Sequence, residues 1–404
     1  MREEFAPFLQ WIDAQLPEMR DALVQLSDQN SGSFNAAGVR AVGERLRARF
    51  APLGCTHEWI ELPAFVSTAD DGRPREHPIG PALRLRQRPY APLQVFLGGH
   101  LDTVFGPDHP FQKTRPDGDD GLHGPGVADL KGGLLVMWAA LAALERSPWR
   151  ERIGWEVLLN PDEEIGSAGS DPLLRDAAGR NRFGLIYEPS FPDGGLASGR
   201  KGSGNFDVIV HGRAAHAGRN PEEGRNALRA AADAIRAIDS LNGTRDGVTL
   251  NVGYAHGGGP LNVVPDLAVF KLNVRTAIPD DQCWVQEQLD RILIDARRDG
   301  IRFELRGGFT RPPKIVDARA QTLIDWLGDC GRALGTPLAF KPTGGCCDGN
   351  NLAAHGLPNV DNLGVVGRDI HSDAERMRVS SLTERAKISA LMLLRCASGE
   401  LEWH

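Results

Sequence analysis

Basic charge, paired cysteines and long apolar runs are what this chain has little of. Its 46 Lys and Arg are outnumbered by 53 Asp and Glu, a net charge of −7 over 404 residues. That balance excludes the electrostatic footprint of a nucleic-acid binder, and a mild acidic excess serves solubility. Six cysteines (Cys55, Cys283, Cys330, Cys346, Cys347, Cys396) lack zinc-finger spacing, which argues for reduced thiols. The longest apolar run, Leu134 to Leu144, falls short of the roughly 20 residues that span a bilayer. No apolar signal region follows Met1-Arg2-Glu3-Glu4, so the expectation is a cytoplasmic protein without membrane or nucleic-acid partners. Apolar residues at 41% and charged residues at 25% are ordinary for a globular chain, and the length allows two domains.

What the chain has in quantity is alternation of strand and helix. Phe8, Trp11, Ile12 and Leu16 repeat at helical spacing, as do Val39, Val42, Leu46 and Phe50, with a polar loop over Ser27–Gly38. Glu58–Val66 reads as a strand, and Pro- and Gly-rich text to Pro92 reads as a hairpin and turns. Strand Leu93–Leu97, helix Lys131–Glu145, strand Ile153–Leu159 and strand Gly184–Tyr187 follow. This is the pattern of an α/β fold, a mostly parallel sheet flanked by helices. From Ser198 the texture changes. Asn205–Val210, Pro221–Leu241, Val248–Val252, Leu267–Val274, Cys283–Ala296 and Arg302–Leu305 read β-α-β-β-α-β, the ferredoxin-like α+β order. The division expected is a catalytic domain of residues 1–198 and 313–404 with an insert of residues 199–312. Helices Ala318–Leu334 and Ser381–Cys396 complete the α/β part.

The chemistry concentrates at strand ends, where open α/β sheets gather function. Asn160-Pro161-Asp162-Glu163-Glu164-Ile165 ends one apolar strand. Neighbours on an extended chain point opposite ways, so one glutamate can face a metal while the other faces substrate and water. His100-Leu101-Asp102 ends another strand. A ligating histidine usually gives its other ring N–H to a carboxylate, and Asp102 has the spacing for that. Asp129 precedes a helix, where an N-cap is the plainer reading. Glu188 ends a further strand and His371 lies late in the chain. Singly, Glu164 and Glu188 read as solvated acids and His371 as a surface histidine. Together, two imidazoles and three carboxylates form a set that suits zinc, with cobalt or manganese as alternatives. Five ligands suggest two divalent ions sharing a bridging carboxylate, about 3.5–4 Å apart.

The motifs HLDTV, GPGVADLKGG, PDEEIGS, YEPS and IHSDAERM resemble, in order and context, those of the co-catalytic zinc exopeptidase family. That family includes glutamate carboxypeptidase, acetylornithine deacetylase, succinyl-diaminopimelate desuccinylase and aminoacylase. The resemblance covers nearly all of the chain after residue 90 and lies nearest the glutamate carboxypeptidase branch. It implies that His100 and Glu188 hold one zinc, Glu164 and His371 the other, and that Asp129 bridges them before a cis peptide bond to Leu130. It implies that Asp102 orients His100 and that Glu163 is the general base. On the insert it assigns substrate contacts to His216, acting across a dimer interface, and to Asn262 and Arg275. Gly344-Gly345 would add backbone N–H groups to the same substrate carboxylate. An arginine fork suits a carboxylate. The insert is then a lid that also makes a homodimer. Where the family's loop often carries serine or threonine, this chain has Cys346-Cys347, which bears on substrate fit rather than on the reaction.

The reading that follows is a zinc-dependent amide hydrolase acting on a small peptide or N-acyl amino acid, as a carboxypeptidase or as an N-acyl amino acid deacylase. Divalent ions bring the pKa of bound water to about 7, and Glu163 would carry its proton to the leaving amine. A non-catalytic metal- or peptide-binding relative would have no need of Glu163. A dinuclear phosphoesterase would want a cluster of cations for phosphate that the chain lacks.

Overall fold

A computed structural model describes residues 2–403. Its centre is a six-stranded sheet in the order Thr56–Ile60, Ala82–Gln87, Ile153–Asn160, Leu93–His100, Phe183–Ile186, Asn359–Val360. The first two pairings are antiparallel and the other three parallel. Both faces are covered, which is why the strands read as continuous apolar runs. Val95, Leu97, Trp155, Val157 and Leu185 face the larger core, while the alternate residues Phe96, Leu158 and Ile186 face a smaller one. Helix Asp171–Arg180 contributes Leu174 and Ala177 to the smaller core, and helix Asp348–Ala354 contributes Leu352.

Helix Gly133–Glu145 runs through the larger core. Its residues from Gly133 to Leu144 are all buried. A helix apolar on every side belongs in an interior. The segment Val127–Glu145 is long and apolar enough to cross a membrane, yet it is entirely buried within the protein. It packs against helix Ser381–Ser398, which is buried over most of its length.

A second sheet joins Thr249–Gly257, Leu267–Thr276, Gly202–His211 and Arg302–Arg311 in that order, all antiparallel. Helices Ala227–Asp239 and Pro279–Asp295 cover one face, and Phe206, Val208, Val210, Phe270 and Leu272 meet them in a separate core. The order is β-α-β-β-α-β. The chain enters this sheet through Arg200 and leaves it through Lys314, and these two residues bridge each other.

Several local expectations shift. Helix Pro221–Leu241 begins at Ala227, where Asn226 accepts the Arg229 N–H at 2.9 Å, after a short turn at Pro221–Glu223. The next helix begins at Pro279 rather than Cys283, because Asp281 collects the N–H groups of Ala277 and Ile278. The single strand Glu58–Val66 is two strands in different sheets, Thr56–Ile60 and Phe65–Thr68, parted around Pro63. The proline-rich text hides a sheet strand, Ala82–Gln87, and the polar run after Gly169 is helix Asp171–Arg180.

Gly133 tests the packing of the central helix. Alanine is the better helix former by about 1 kcal/mol. A Cβ at Gly133, however, would stand 2.1 Å from the carbonyl oxygen of Tyr187. Overpacking costs about 1–3 kcal/mol, so Gly133→Ala should lower the midpoint of denaturant unfolding. An unchanged or raised midpoint would contradict this packing.

Candidate metal centre

The carboxyl ends of the parallel strands meet at one place. His100 is the last residue of its strand and lies in register with Asn160, the last of the neighbouring one. Glu163 and Glu164 follow within four residues on a short turn. Glu188 follows strand Phe183–Ile186. Asp129 comes from the turn Val127–Gly132 that opens the buried helix, and its peptide bond to Leu130 is cis. His371 arrives from a late loop with φ +61°, a left-handed conformation that histidine adopts more readily than most residues.

These side chains converge. Nε2 of His100 lies 3.2 Å from one carboxylate oxygen of Asp129, and Nε2 of His371 lies 3.2 Å from the other. His371 also approaches Glu164 at 3.1 Å. Ligand atoms of His100, Asp129 and Glu164 all fall within 4.8 Å of one another. Two donors on one tetrahedral ion at about 2.0–2.1 Å stand about 3.3 Å apart, so the spacing is that of shared ions. One oxygen of Asp129 to each imidazole is the arrangement a bridging carboxylate needs.

Two buried acids hold this cage by backbone amides. Asp102 accepts N–H from Glu163 and from Glu164, each at 3.2 Å, and the hydroxyl of Ser33 at 2.7 Å. Nδ1 of His100 stands 3.0 Å from the Asp102 carbonyl and 3.3 Å from its carboxylate. That places the ring proton on Nδ1 and leaves Nε2 for the cage. Glu375 accepts N–H from Gly126, Ala128 and Asp129 at 2.9–3.0 Å and so fixes the turn that carries Asp129.

The charge state shows what the donor set lacks. Burial pushes the carboxyl of Glu164 up, with Asp129 adding to it, and burial together with Glu163 pushes Glu188 well up. His371 is raised to about 11 by its contacts with Asp129 and Glu164. Among the described residues only imidazoles stand within ion-pair distance of the Asp129 and Glu164 carboxylates. Three buried acids with only two imidazoles are short of positive charge. Oxygen and imidazole-nitrogen donors fit two divalent ions of the zinc, cobalt or manganese type.

Glu163 faces the other way. Its Oε1 accepts from Nη2 of Arg311 at 2.7 Å, and Arg311 also reaches Asp348 at 3.0 Å. Burial raises the Glu163 carboxyl to about 8 against the pull of Arg311 and His100. A cleft of about 310 Å³ opens beside the cage. Asp129, Glu163, Glu188 and His371 line it, with Arg200, Phe191, Gly345 and Cys346. Arg275 lies at its edge, with Nη1 3.0 Å from Sγ of Cys346. Gly344 is exposed between Thr343 and Gly345, which both line the cleft. His216 and Asn262 are not brought to this cleft. They are exposed on adjoining loops of the second sheet, where His216 pairs with Val263.

Glu375, Arg311 and Arg200 escaped the sequence reading as functional candidates. Glu375 sits four residues after His371, and Arg311 opens the Arg311-Pro312-Pro313 boundary. A lone charge followed by two prolines was the only sign of the latter.

The chain matches peptidase family M20/M25/M40 over residues 96–395. Carboxypeptidase G2 of a Pseudomonas species (strain RS-16) is 27% identical over 394 residues, covering 95% of this chain and 90% of that protein. Succinyl-diaminopimelate desuccinylase of Verminephrobacter eiseniae is 26% identical over 363 residues, 83% of this chain and 87% of its own. Among solved structures, a dinuclear metal-binding peptidase of the M20 family from Bacillus subtilis covers 96% of this chain and 99% of its own, with a TM-score of 0.65 at 15% identity, a likeness of fold.

Protonation and metal loading are linked here. A histidine held at about 11 carries its proton at neutral pH, and an ion takes only the neutral ring. Zinc added to metal-stripped protein in weak buffer at about pH 7 should therefore release protons, and affinity should rise with pH. An indicator dye reads the release, and zinc uptake without it would contradict the cage. Glu375→Ala should weaken zinc binding by about 10–100-fold, measured by competition with a chelator.

Proposed function

The chain belongs to peptidase family M20/M25/M40, and from that premise we propose that it cleaves the amide bond joining an acyl or peptidyl group to an amino acid with a free α-carboxylate, in the manner of a glutamate carboxypeptidase. It is a metal-dependent hydrolase of the metallopeptidase or amidohydrolase kind. The observation that carries the finer reading is Arg275. No carboxylate of the described residues lies within ion-pair distance of its guanidinium, which sits beside the Gly345–Cys346 side of the cleft. A fork of donors whose one side-chain partner is the Cys346 thiol, with no carboxylate on it, suits an incoming carboxylate at the edge of a cleft. Arg200 supplies a second cation within the cleft wall, held by Asp361 at 3.0 Å and Asn362 at 2.5 Å.

Zinc is the ion we propose for the cage of His100, Asp129, Glu164, Glu188 and His371. Bound there, divalent ions lower the pKa of water to about 7 and polarise the scissile carbonyl. The side chains do the rest. Glu163 takes the proton of the attacking water and passes it to the leaving nitrogen. Arg311 fixes that carboxylate, while Asp102 fixes the backbone of Glu163 and Glu164 through their N–H groups. Arg275 holds the substrate so that its amide lies over the cage, and such positioning carries a large share of the rate. His216 and Asn262, exposed and away from this chain's own cleft, suit a homodimer in which each copy offers them to the other.

Glu163→Gln keeps the size of the side chain and its place beside Arg311. Metal content and unfolding midpoint should hold while turnover of an N-acyl glutamate falls by about 10²–10⁴. An active Glu163→Gln enzyme would remove the base. Methyl esterification of the substrate's α-carboxylate should raise KM as strongly as Arg275→Met does. The two changes together should cost no more than either alone, and additive losses would place the carboxylate elsewhere.

A further inference from the structure

The second sheet is attached to the body at one end and touched by it again far away. At the attachment Arg200 and Lys314 exchange backbone hydrogen bonds at 3.1 and 2.9 Å, so both chain crossings lie side by side. Nearby, Arg311 bonds to Asp348, and the Thr310 carbonyl accepts from Asn351 at 3.0 Å. All of these sit at one end of the sheet. The second contact is the hairpin of strands Phe65–Thr68 and Pro74–His77. Its tip lies on the face of the sheet that the two helices leave open. Gly72, at φ +75°, packs so closely that a Cβ there would stand 2.8 Å from Ile209. Ile209 is seven residues along its strand from Gly202, about 23 Å at 3.3 Å per residue.

The tip is bonded as well as packed. Nζ of Lys271 donates to the Thr68 carbonyl at 2.6 Å, and Nη1 of Arg306 to the Gly72 carbonyl at 2.9 Å. The Tyr254 hydroxyl donates to Asp70. The root of the hairpin is held by the body. Phe65 and His77 pack on Phe34 at 5.8 and 4.9 Å, next to Ser33, which donates to Asp102. The hairpin thus joins the far end of the sheet to the segment that braces the cage.

Arg275 and Arg311 are on the second sheet, whereas the cage is on the body. A substrate gripped by both feels the angle between them. We propose that the hairpin Phe65–His77 is a strap that sets this angle, with Lys271 and Arg306 as positioning residues for the substrate carboxylate. This rests on the carboxylate-holding role of Arg275. Without the strap the sheet pivots at the Arg200–Lys314 crossing, and only a fraction of molecules present Arg275 at the right distance from the cage. Apparent affinity then drops in proportion to that fraction, while bound substrate reacts as before.

The test is the double variant Lys271→Met with Arg306→Met in the full, zinc-loaded chain. The expected result is unchanged metal content and unfolding midpoint, a broader small-angle X-ray scattering distance distribution, and a KM raised about tenfold with kcat held, a size usual for coupling between sites. Lys271→Arg with Arg306 intact should restore the wild-type curve and KM. Scattering and KM both unchanged would overturn the strap. So would a loss of metal or stability with the scattering unaltered, which would make the hairpin a brace of the fold alone. The scattering arm decides even if no amide substrate is turned over, in which case the catalytic reading fails separately.

Discussion

Negative charge concentrated out of water is the constraint on which the rest of the structure depends. Asp129, Glu164 and Glu188 are gathered where solvent scarcely reaches. Two like unit charges 4 Å apart repel by about 4 kcal/mol at an effective dielectric of 20, so three cannot stay ionised unaided. The upward shifts of Glu164 and Glu188 and the protonated His371 are the site's own answer when only protons are at hand. Divalent ions answer it better. The strand ends, the turn before the buried helix and the left-handed loop at His371 place donors around that deficit. Asp102 and Glu375 hold them in place with five backbone N–H groups between them.

That division of labour explains what could be read in the sequence. The donors were legible because each sits at the end of an apolar run or in a short motif: His100 after Leu93–Leu97, Glu164 after Ile153–Leu159, Glu188 after Gly184–Tyr187. The supports were not. Glu375 acts on amides 246 to 249 residues earlier in the chain, and nothing local marks such a reach. Arg311 ended a predicted domain, and only folding brings it to Glu163, 148 residues away. The β-α-β-β-α-β order of the insert was legible for the opposite reason, since alternation and helical spacing are local.

The hidden strand Ala82–Gln87 shows where pattern reading gives out. Arg84 and Arg86 lie in the Pro- and Gly-rich text that reads as a hairpin and turns. In the fold they flank the buried Glu156 at 3.3 and 3.4 Å, with Arg180 at 2.7 Å, while Leu83 and Leu85 enter the core. The strand alternates as a strand should, but the partner that makes its charges tolerable is on another strand 70 residues on.

The ion pair of Glu163, the proposed base, crosses the boundary between the two sheets. Burial lifts Glu163 and Arg311 draws it back, leaving it at about 8. A group that must take a proton and then return it works best near the ambient pH. Arg311 ends the last strand of the insert, and Arg275 is the next-to-last residue of the strand two places away in the same sheet. The position of one sheet therefore bears on two side chains together, the carboxylate of Glu163 and the guanidinium of Arg275 at the cleft edge. An insert displaced from the body would part Glu163 from Arg311 and Arg275 from Cys346 at the cleft edge. On the proposed roles, tying both to one rigid sheet couples the proton carrier to the substrate's carboxylate in a single arrangement.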